Sequence, residues 1–262
     1  MTASHAAEDQ PAESEADALA RLYDLDLAED PGDDLDLYLA LAERTGGPIL
    51  ELAAGTGRIV RPLAAAGYQV TALDLDPAML GRLTASAPTN VTIVLADLTS
   101  WRPPRAEYRL AVLGLNSLFL IAERHLQQAA LATLFAALVP GGLAVVDVWL
   151  PDAADLARYD QRLLIEYIRT DPATGSTLTK TVSALHDAAT ATVLLSSIYD
   201  QGRPGAPVAR WIRRDTLRLV GSGELVQMAR AAGFEIDVLA GDYGLEPLGP
   251  GAQRAILVAR RP

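Results

Sequence analysis

Residues 49–80 read ILELAAGTGRIVRPLAAAGYQVTALDLDPAML, and a few of them have the types and spacing to do chemistry. Gly55 and Gly57 interrupt an apolar run just ahead of a helical pattern. A glycine turn at that place lets a ligand approach the backbone closely and sets it at the positive end of a helix. Asp74 follows about twenty residues on, where a carboxylate can accept both hydroxyls of a ribose. The chemistry expected is the holding of a nucleotide; the bland alternative is a tight corner between strand and helix. A dinucleotide turn, G-x-G-x-x-G, needs a third small residue, and Val60 stands there instead. Glu51, inside the first apolar run, would repel a pyrophosphate and suits a cationic ligand. A nicotinamide-dependent reductase is therefore disfavoured.

These residues need a frame of strands and helices. Apolar runs at 48–53, 68–73, 91–96, 109–115 and 143–148 read as buried strands. Helical spacing separates them at 57–66, after Asp76 and over 122–138. Asp76 is expected to cap its helix, with Pro77 at the first helical position. Pro140, Gly141 and Gly142 read as the turn from the last of these helices into the fifth strand. Strands alternating with helices imply an α/β fold with a parallel sheet covered on both faces. After Pro151 the pattern changes. Segments 162–170, 177–187, 192–200 and 208–220 are rich in Thr, Val, Ile and Tyr, with hairpin signals between pairs of them. They predict an antiparallel meander inserted after the fifth strand. A helix at 222–232 and strands at 234–240 and 254–259 close the chain. The expected division is a disordered tail over 1–16, a helical lid over 17–45 turning at Asp30-Pro31, a core over 46–151 and 221–262, and the insertion over 152–220.

Composition narrows the function. Half of the 262 residues are apolar and only 5% aromatic, so Ala, Leu and Val must fill the core. The absence of cysteine excludes disulfides, thiolate metal sites and a cysteine nucleophile, and His5, His125 and His186 are too scattered for a metal site. A net charge of −11 speaks against a nucleic-acid partner. The N-terminus has no apolar signal region and the apolar stretch at 131–150 is broken by Pro140, Gly141, Gly142 and Asp147, so a cytoplasmic protein without a membrane span is expected.

The motifs ELAAGTGR at 51–58, ALDLDPAML at 72–80, ADLTSW at 96–101 and LVPGGLAVVD at 138–147 resemble, as a set, those of class I S-adenosylmethionine-dependent methyltransferases. The resemblance covers about residues 20–150 and the two terminal strands. It implies a Rossmann-like, doubly wound, seven-stranded sheet of order 3-2-1-4-5-7-6 with the last strand antiparallel. It implies S-adenosylmethionine as donor and S-adenosylhomocysteine as product. By position, Glu51 would meet the methionine ammonium, and Ala53, Gly55 and Gly57 would offer backbone to the methionine part. Ala53 departs from the family, which has glycine there. Arg58 would pair with the carboxylate or stand as a solvated helix start. Asp74 would hold the ribose, with Leu75 and Met79 flanking the adenine. Asp97 would bind the adenine amino group, between Ala96 and Leu98. Leu113 and Gly114 would lie under the methionine, and Tyr23 matches a lid tyrosine or else packs as part of an amphipathic helix.

The acceptor leaves a weaker trace. Methyl transfer is an in-line displacement that mainly needs alignment and exclusion of water. Residues 114–119, GLNSLF, lack the prolines of methyltransferases acting on exocyclic nitrogens and look more like N-S-x-x-H-L of the small-molecule branch, which acts on glycine or amino sugars. Phe119 replaces that motif's histidine. Candidates for positioning an acceptor are Asn116, Phe119, Tyr167, His186, Tyr199 and Trp211, with the meander as roof and part of it as a homodimer contact. Alternation puts Trp211 and Arg213 on one face and Arg210, Arg214 and Arg218 on the other, either as a solvated face or as a site for an anionic substrate. The expected function is methyl transfer to an amine or hydroxyl of a small molecule. The alternative from another class is a protein that binds S-adenosylmethionine without transferring methyl, such as a cyclase or a binding partner.

Overall fold

The structure, a computed structural model, describes residues 13–28, 32–172 and 174–262. Most of the expected tail and the first half of the expected turn Asp30-Pro31-Gly32-Asp33 lie outside them, while Gly32 is the left-handed N-cap of the helix that Asp33 begins. Helix α1 (Glu15–Asp26) starts within the last two residues assigned to the tail, because Ser14 caps it through the Asp17 amide. Helix α2 (Asp33–Thr45) follows.

Strand β1 (Ile49–Leu52) is buried on both sides, with Leu50 and Leu52 in one apolar layer and Ile49 in the other. Each such side chain contributes about 1.5–3 kcal/mol of burial. Then come α3 (Val60–Ala65), β2 (Val70–Asp74), α4 (Pro77–Thr84), β3 (Val91–Leu95), β4 (Tyr108–Leu113), a 3-10 turn over Ser117–Leu120, α5 (Arg124–Ala137) and β5 (Leu138–Trp149). The Asp76 carboxylate accepts from the Ala78 and Met79 amides and caps α4 as its sequence predicts. Strand β5 begins five residues earlier than expected. Pro140-Gly141-Gly142 forms a bulge rather than a turn, with Gly141 at φ 81° and the β4 register shifting beside it. The bulge holds because Gly141 donates to Arg261 O, and Arg261 N donates to Gly142 O.

Helix α6 (Ala153–Tyr159) was not expected; Asp152 and Asp155 form its capping box. The meander is β6 (Leu164–Thr170), β7 (Thr177–Asp187), β8 (Thr192–Gly202) and β9 (Ala209–Arg218), antiparallel in that order. Val182, Val193 and Tyr199 on its inner face are buried, and Leu185, Leu194 and Ile212 on the outer face are exposed. Helix α7 (Ser222–Ala231), β10 (Glu235–Ala240) and β11 (Arg254–Arg260) complete the core. The large sheet has the order β10-β11-β5-β4-β1-β2-β3, parallel except that β11 runs against β5 and β10. That is the order the resemblance implies. No described helix is long and apolar enough to cross a membrane.

Candidate active site

The glycine turn after β1 is shaped by backbone that leaves the ordinary region. Ala53, Gly55 and Gly57 have φ of 56°, 54° and 90°. Ala53 therefore occupies a left-handed position where the related motif carries glycine, at a cost of about 1–2 kcal/mol. The glycines differ in purpose. A Cβ on Gly55 would point towards Tyr23, 3.7 Å from its Cε1, while one on Gly57 would stand 2.4 Å from Leu83 Cδ1. Gly55 thus faces the ligand side and Gly57 packs against α4.

Asp74 ends β2 and braces this turn. Its Oδ2 accepts from the Gly55 amide at 2.7 Å and its Oδ1 from the Asp76 amide at 2.9 Å. Around them lies a cavity of about 700 Å³, lined by Tyr23, Ala53, Gly55, Asp74, Leu75, Met79, Asp97 and Leu98 among others. Asp97 Oδ1 accepts from the Thr99 amide and hydroxyl, which folds that loop into a tight turn. Of the remaining cofactor candidates, Glu51, Gly57, Arg58, Ala96, Leu113 and Gly114 do not line this cavity. The Arg58 guanidinium forks onto the nearly buried Asp34 carboxylate of α2 at 2.7 and 2.8 Å, so it is not a solvated helix start. Gly114 has no room for a side chain, since a Cβ would come within 2.8 Å of the Tyr38 hydroxyl. Beside it Asp147, fully buried, accepts from Tyr38, Tyr243, Arg254 and the Leu115 amide and so pins the end of β4 to β5.

Glu51 is buried, and its Oε2 has no hydrogen-bond partner among the described residues. Burial, and then the charge of Asp74, push its carboxyl well above the usual range, although the Arg58 charge and the Val60 amide partly offset this. An orphaned carboxyl beside a glycine cradle is the arrangement a cationic amino acid group would complete. Tyr23, on α1, covers the same place; burial and the Glu51 charge push its phenol up to about 12. The residues present therefore fit S-adenosylmethionine: an acid for its ammonium, a carboxylate for its ribose and apolar side chains for its adenine.

A second cavity, of about 500 Å³, lies under the meander. Asn116, Phe119, His186 and Tyr199 line it, whereas Tyr167 and Trp211 do not. Trp211 instead lies beneath the Arg21 guanidinium, 5.8 Å from its ring centre. Leu115 and Asn116 are both left-handed, at φ 53° and 60°, and the Asn116 side-chain oxygen accepts from the Trp149 amide at 2.5 Å. Two successive non-glycine residues in that region store strain of the kind found at functional sites. Asp26 of α1 gathers the Tyr167 hydroxyl, the Tyr199 hydroxyl at 2.7 Å and Lys180 Nζ at 2.7 Å. Burial and Asp26 push both phenols far above their ordinary value.

Both cavities are lined by Tyr23, Ser117, Leu120, Arg213 and Asp215, so they adjoin there. Arg213 Nε donates to Asp215 Oδ2 at 2.8 Å. Burial opposes the Arg213 charge, but the Asp215 bond and charge, with Tyr199 and Tyr23, together outweigh it and hold the guanidinium above its usual value. Sequence reasoning missed Asp215, although alternation along β9 from Trp211 through Arg213 leads to it. Asp26 had no comparable signal.

Residues 49–142 match the methyltransferase domain family. A stretch of 58 residues is 45% identical to the mycinamicin-resistance protein MyrB of Micromonospora griseorubida, covering 22% of this chain and 19% of that one. Another of 71 residues is 34% identical to a probable ribosomal RNA small subunit methyltransferase A of Pyrobaculum aerophilum, covering 27% and 31%. The chain thus spans only 19% and 31% of the length of these curated relatives. Among solved structures, the CcbJ methyltransferase of Streptomyces caelestis aligns with a TM-score of 0.74 at 23% identity, over 90% of this chain and 98% of that one. The sugar N-methyltransferase KedS8 of a Streptoalloteichus species gives 0.74 at 17% identity, over 100% and 98%. At these identities the likeness is one of fold. It agrees with the matched segment: residues 49–142 match a methyltransferase domain, and the fold built around them is the one these methyltransferase structures share.

Proposed function

We propose that this protein transfers a methyl group from S-adenosylmethionine to an amine of a small molecule. The observation that carries the reading is the meeting of the two cavities at Tyr23, Ser117, Leu120, Arg213 and Asp215. Glu51 would hold the donor's ammonium, Asp74 its ribose, and Leu75 and Met79 its adenine. The donor supplies a sulfonium methyl carbon that is already activated, so the protein need only align a nucleophile and keep water out. Tyr23 and the meander serve the second need. A cavity of about 500 Å³ suits a small organic molecule.

The lining favours a basic acceptor over an anionic one or a nucleic acid. Asp26, Asp155, Glu166 and Asp215 face it against Lys180 and Arg213, which leaves the cavity net acidic in an acidic chain. A field of that sign attracts ammonium and repels phosphate. The name of the similar sugar N-methyltransferase points the same way, towards an amino sugar. A hydroxyl acceptor is the neighbouring option.

Two measurements test this. Calorimetry should give binding of S-adenosylhomocysteine and none of NAD. Labelled S-adenosylmethionine incubated with separate panels of amino sugars, neutral sugars and ribosomal RNA should then label the amino sugars. Binding without transfer to any panel would favour a protein that uses the ligand without methylating, and label in RNA would refute the small-molecule reading.

A further inference from the structure

This inference rests on the proposed methyl transfer and names the base that serves it. An amine reaches the cavity as an ammonium and must lose a proton before its electron pair can attack. A base for that step has to stand where donor and acceptor meet. Asp215 is the sole carboxylate among the five residues that line both cavities.

The other titratable groups near the junction are committed elsewhere. Asp26 is occupied by Lys180 and two phenols. Glu166 holds Lys180 at 2.9 Å, and Asp155 closes the cap of α6. Asp74 accepts from the Gly55 amide of the glycine turn and from the Asp76 amide ahead of α4, and on the proposed reading serves the ribose. Tyr23 and Tyr199 are phenols whose burial disfavours ionisation. His186 lines only the acceptor cavity. In Asp215, by contrast, Arg213 Nε engages Oδ2. The side chain lines both cavities and is 21% exposed, and its Oδ1 has no hydrogen-bond partner among the described residues.

We propose that Asp215 is the catalytic base, with Arg213 as the residue that positions it. Asp215 Oδ1 accepts a proton from the acceptor ammonium; the N–H bond breaks, an O–H bond forms and the electron pair stays on nitrogen. The freed amine forms the new N–C bond while the methyl–sulfur bond breaks, its electron pair leaving with sulfur. The proton on Asp215 then passes to solvent.

Sinefungin tests this without knowledge of the acceptor, because a carbon bearing an ammonium replaces the methylated sulfur. Its charge would project towards the junction, within reach of Asp215. Calorimetry should show that the wild type prefers sinefungin to S-adenosylhomocysteine. Asp215→Asn should lower sinefungin affinity about tenfold or more, as expected for a lost charge-assisted bond, and leave S-adenosylhomocysteine affinity unchanged. Asp215→Glu should keep most of the preference. Equal loss of both ligands, or no loss of either, overturns the assignment. A wild type that binds neither ligand overturns the methyltransferase reading and this proposal with it.

Discussion

Replacing Glu51 by Gln should make the free protein more stable at alkaline pH and a poorer binder of S-adenosylmethionine. Glu51 is buried, its Oε2 is unpaired, and burial followed by the Asp74 charge raises its pKa well above the ordinary value. The folded state therefore holds this proton at pH values where the unfolded chain has lost it. The contribution to stability is full below an ordinary glutamate pKa of about 4.3 and declines as pH rises towards the folded value, by about 1.4 kcal/mol per unit. Glu51→Gln removes that decline. Near pH 4 the melting temperature should be unchanged; near pH 8 it should rise by about 2–4 °C for each kcal/mol recovered.

Binding should move the other way. A ligand ammonium against an ionised Glu51 is a charge-assisted bond worth about 1.5–3 kcal/mol, so affinity should fall about ten- to a hundredfold. A third observable is specific to this chemistry. The cation draws Glu51 into its ionised form, so binding near pH 6 should release up to about one proton. Calorimetry in buffers of different ionisation enthalpy measures that number, and the variant should release none from this site. A variant that melts lower at alkaline pH, binds as well as wild type and still releases the proton would refute the reasoning.

Asp74→Ala should lower both affinity for S-adenosylhomocysteine and the melting temperature of the free protein, since the Gly55 and Asp76 amides lose their acceptor; calorimetry and thermal melts separate the two losses, each expected at about 1–3 kcal/mol. Gly57→Ala should destabilise by about 1–3 kcal/mol from overpacking against Leu83, with further strain from its φ of 90°, and a denaturant midpoint equal to wild type would contradict that. Asp26→Ala should free α1, seen as faster amide exchange over residues 15–26 and faster release of S-adenosylhomocysteine, while exchange in β1 and β4 stays slow.

The sequence was most legible where structure is decided locally. The Asp76-Pro77 cap, the apolar runs of β1 and β4 and the hairpin pattern of the meander follow from neighbouring residues alone. What escaped depends on closure of the chain. The Arg58 fork onto Asp34 joins residues 24 apart, and neither residue's surroundings announce it. The bracing role of Asp74 was hidden because the Gly55 amide points at it only once β2 lies beside β1. The bulge at Pro140-Gly141-Gly142 looked like a turn because its partner, Arg261, lies at the far end of the chain. Asp215 was within reach of the period-two alternation of β9, but Arg213 read as part of a solvated strand until the cavity gave that face a role.

Helix α1 explains why so much of the site is polar. Tyr23 stands over the glycine turn and lines both cavities, so movement of this helix would widen the way into both. A helix held by a large apolar seam would open too rarely. Here the fully buried seam is short, Ala18, Ala20 and Leu22, with Leu19 and Leu25 partly buried beside it, and polar and ionic bonds supply much of the remaining attachment. Arg82 binds Asp24 from α4, Lys180 binds Asp26 from β7, and Arg21 reaches Asp171 and Gln201 at the far end of the meander. Such bonds exchange with water one at a time, each at a modest net cost, whereas apolar burial is lost together. On the proposed methyl transfer, such an attachment would let the helix shift without unfolding the sheet beneath, as exchange of donor and product at every cycle demands.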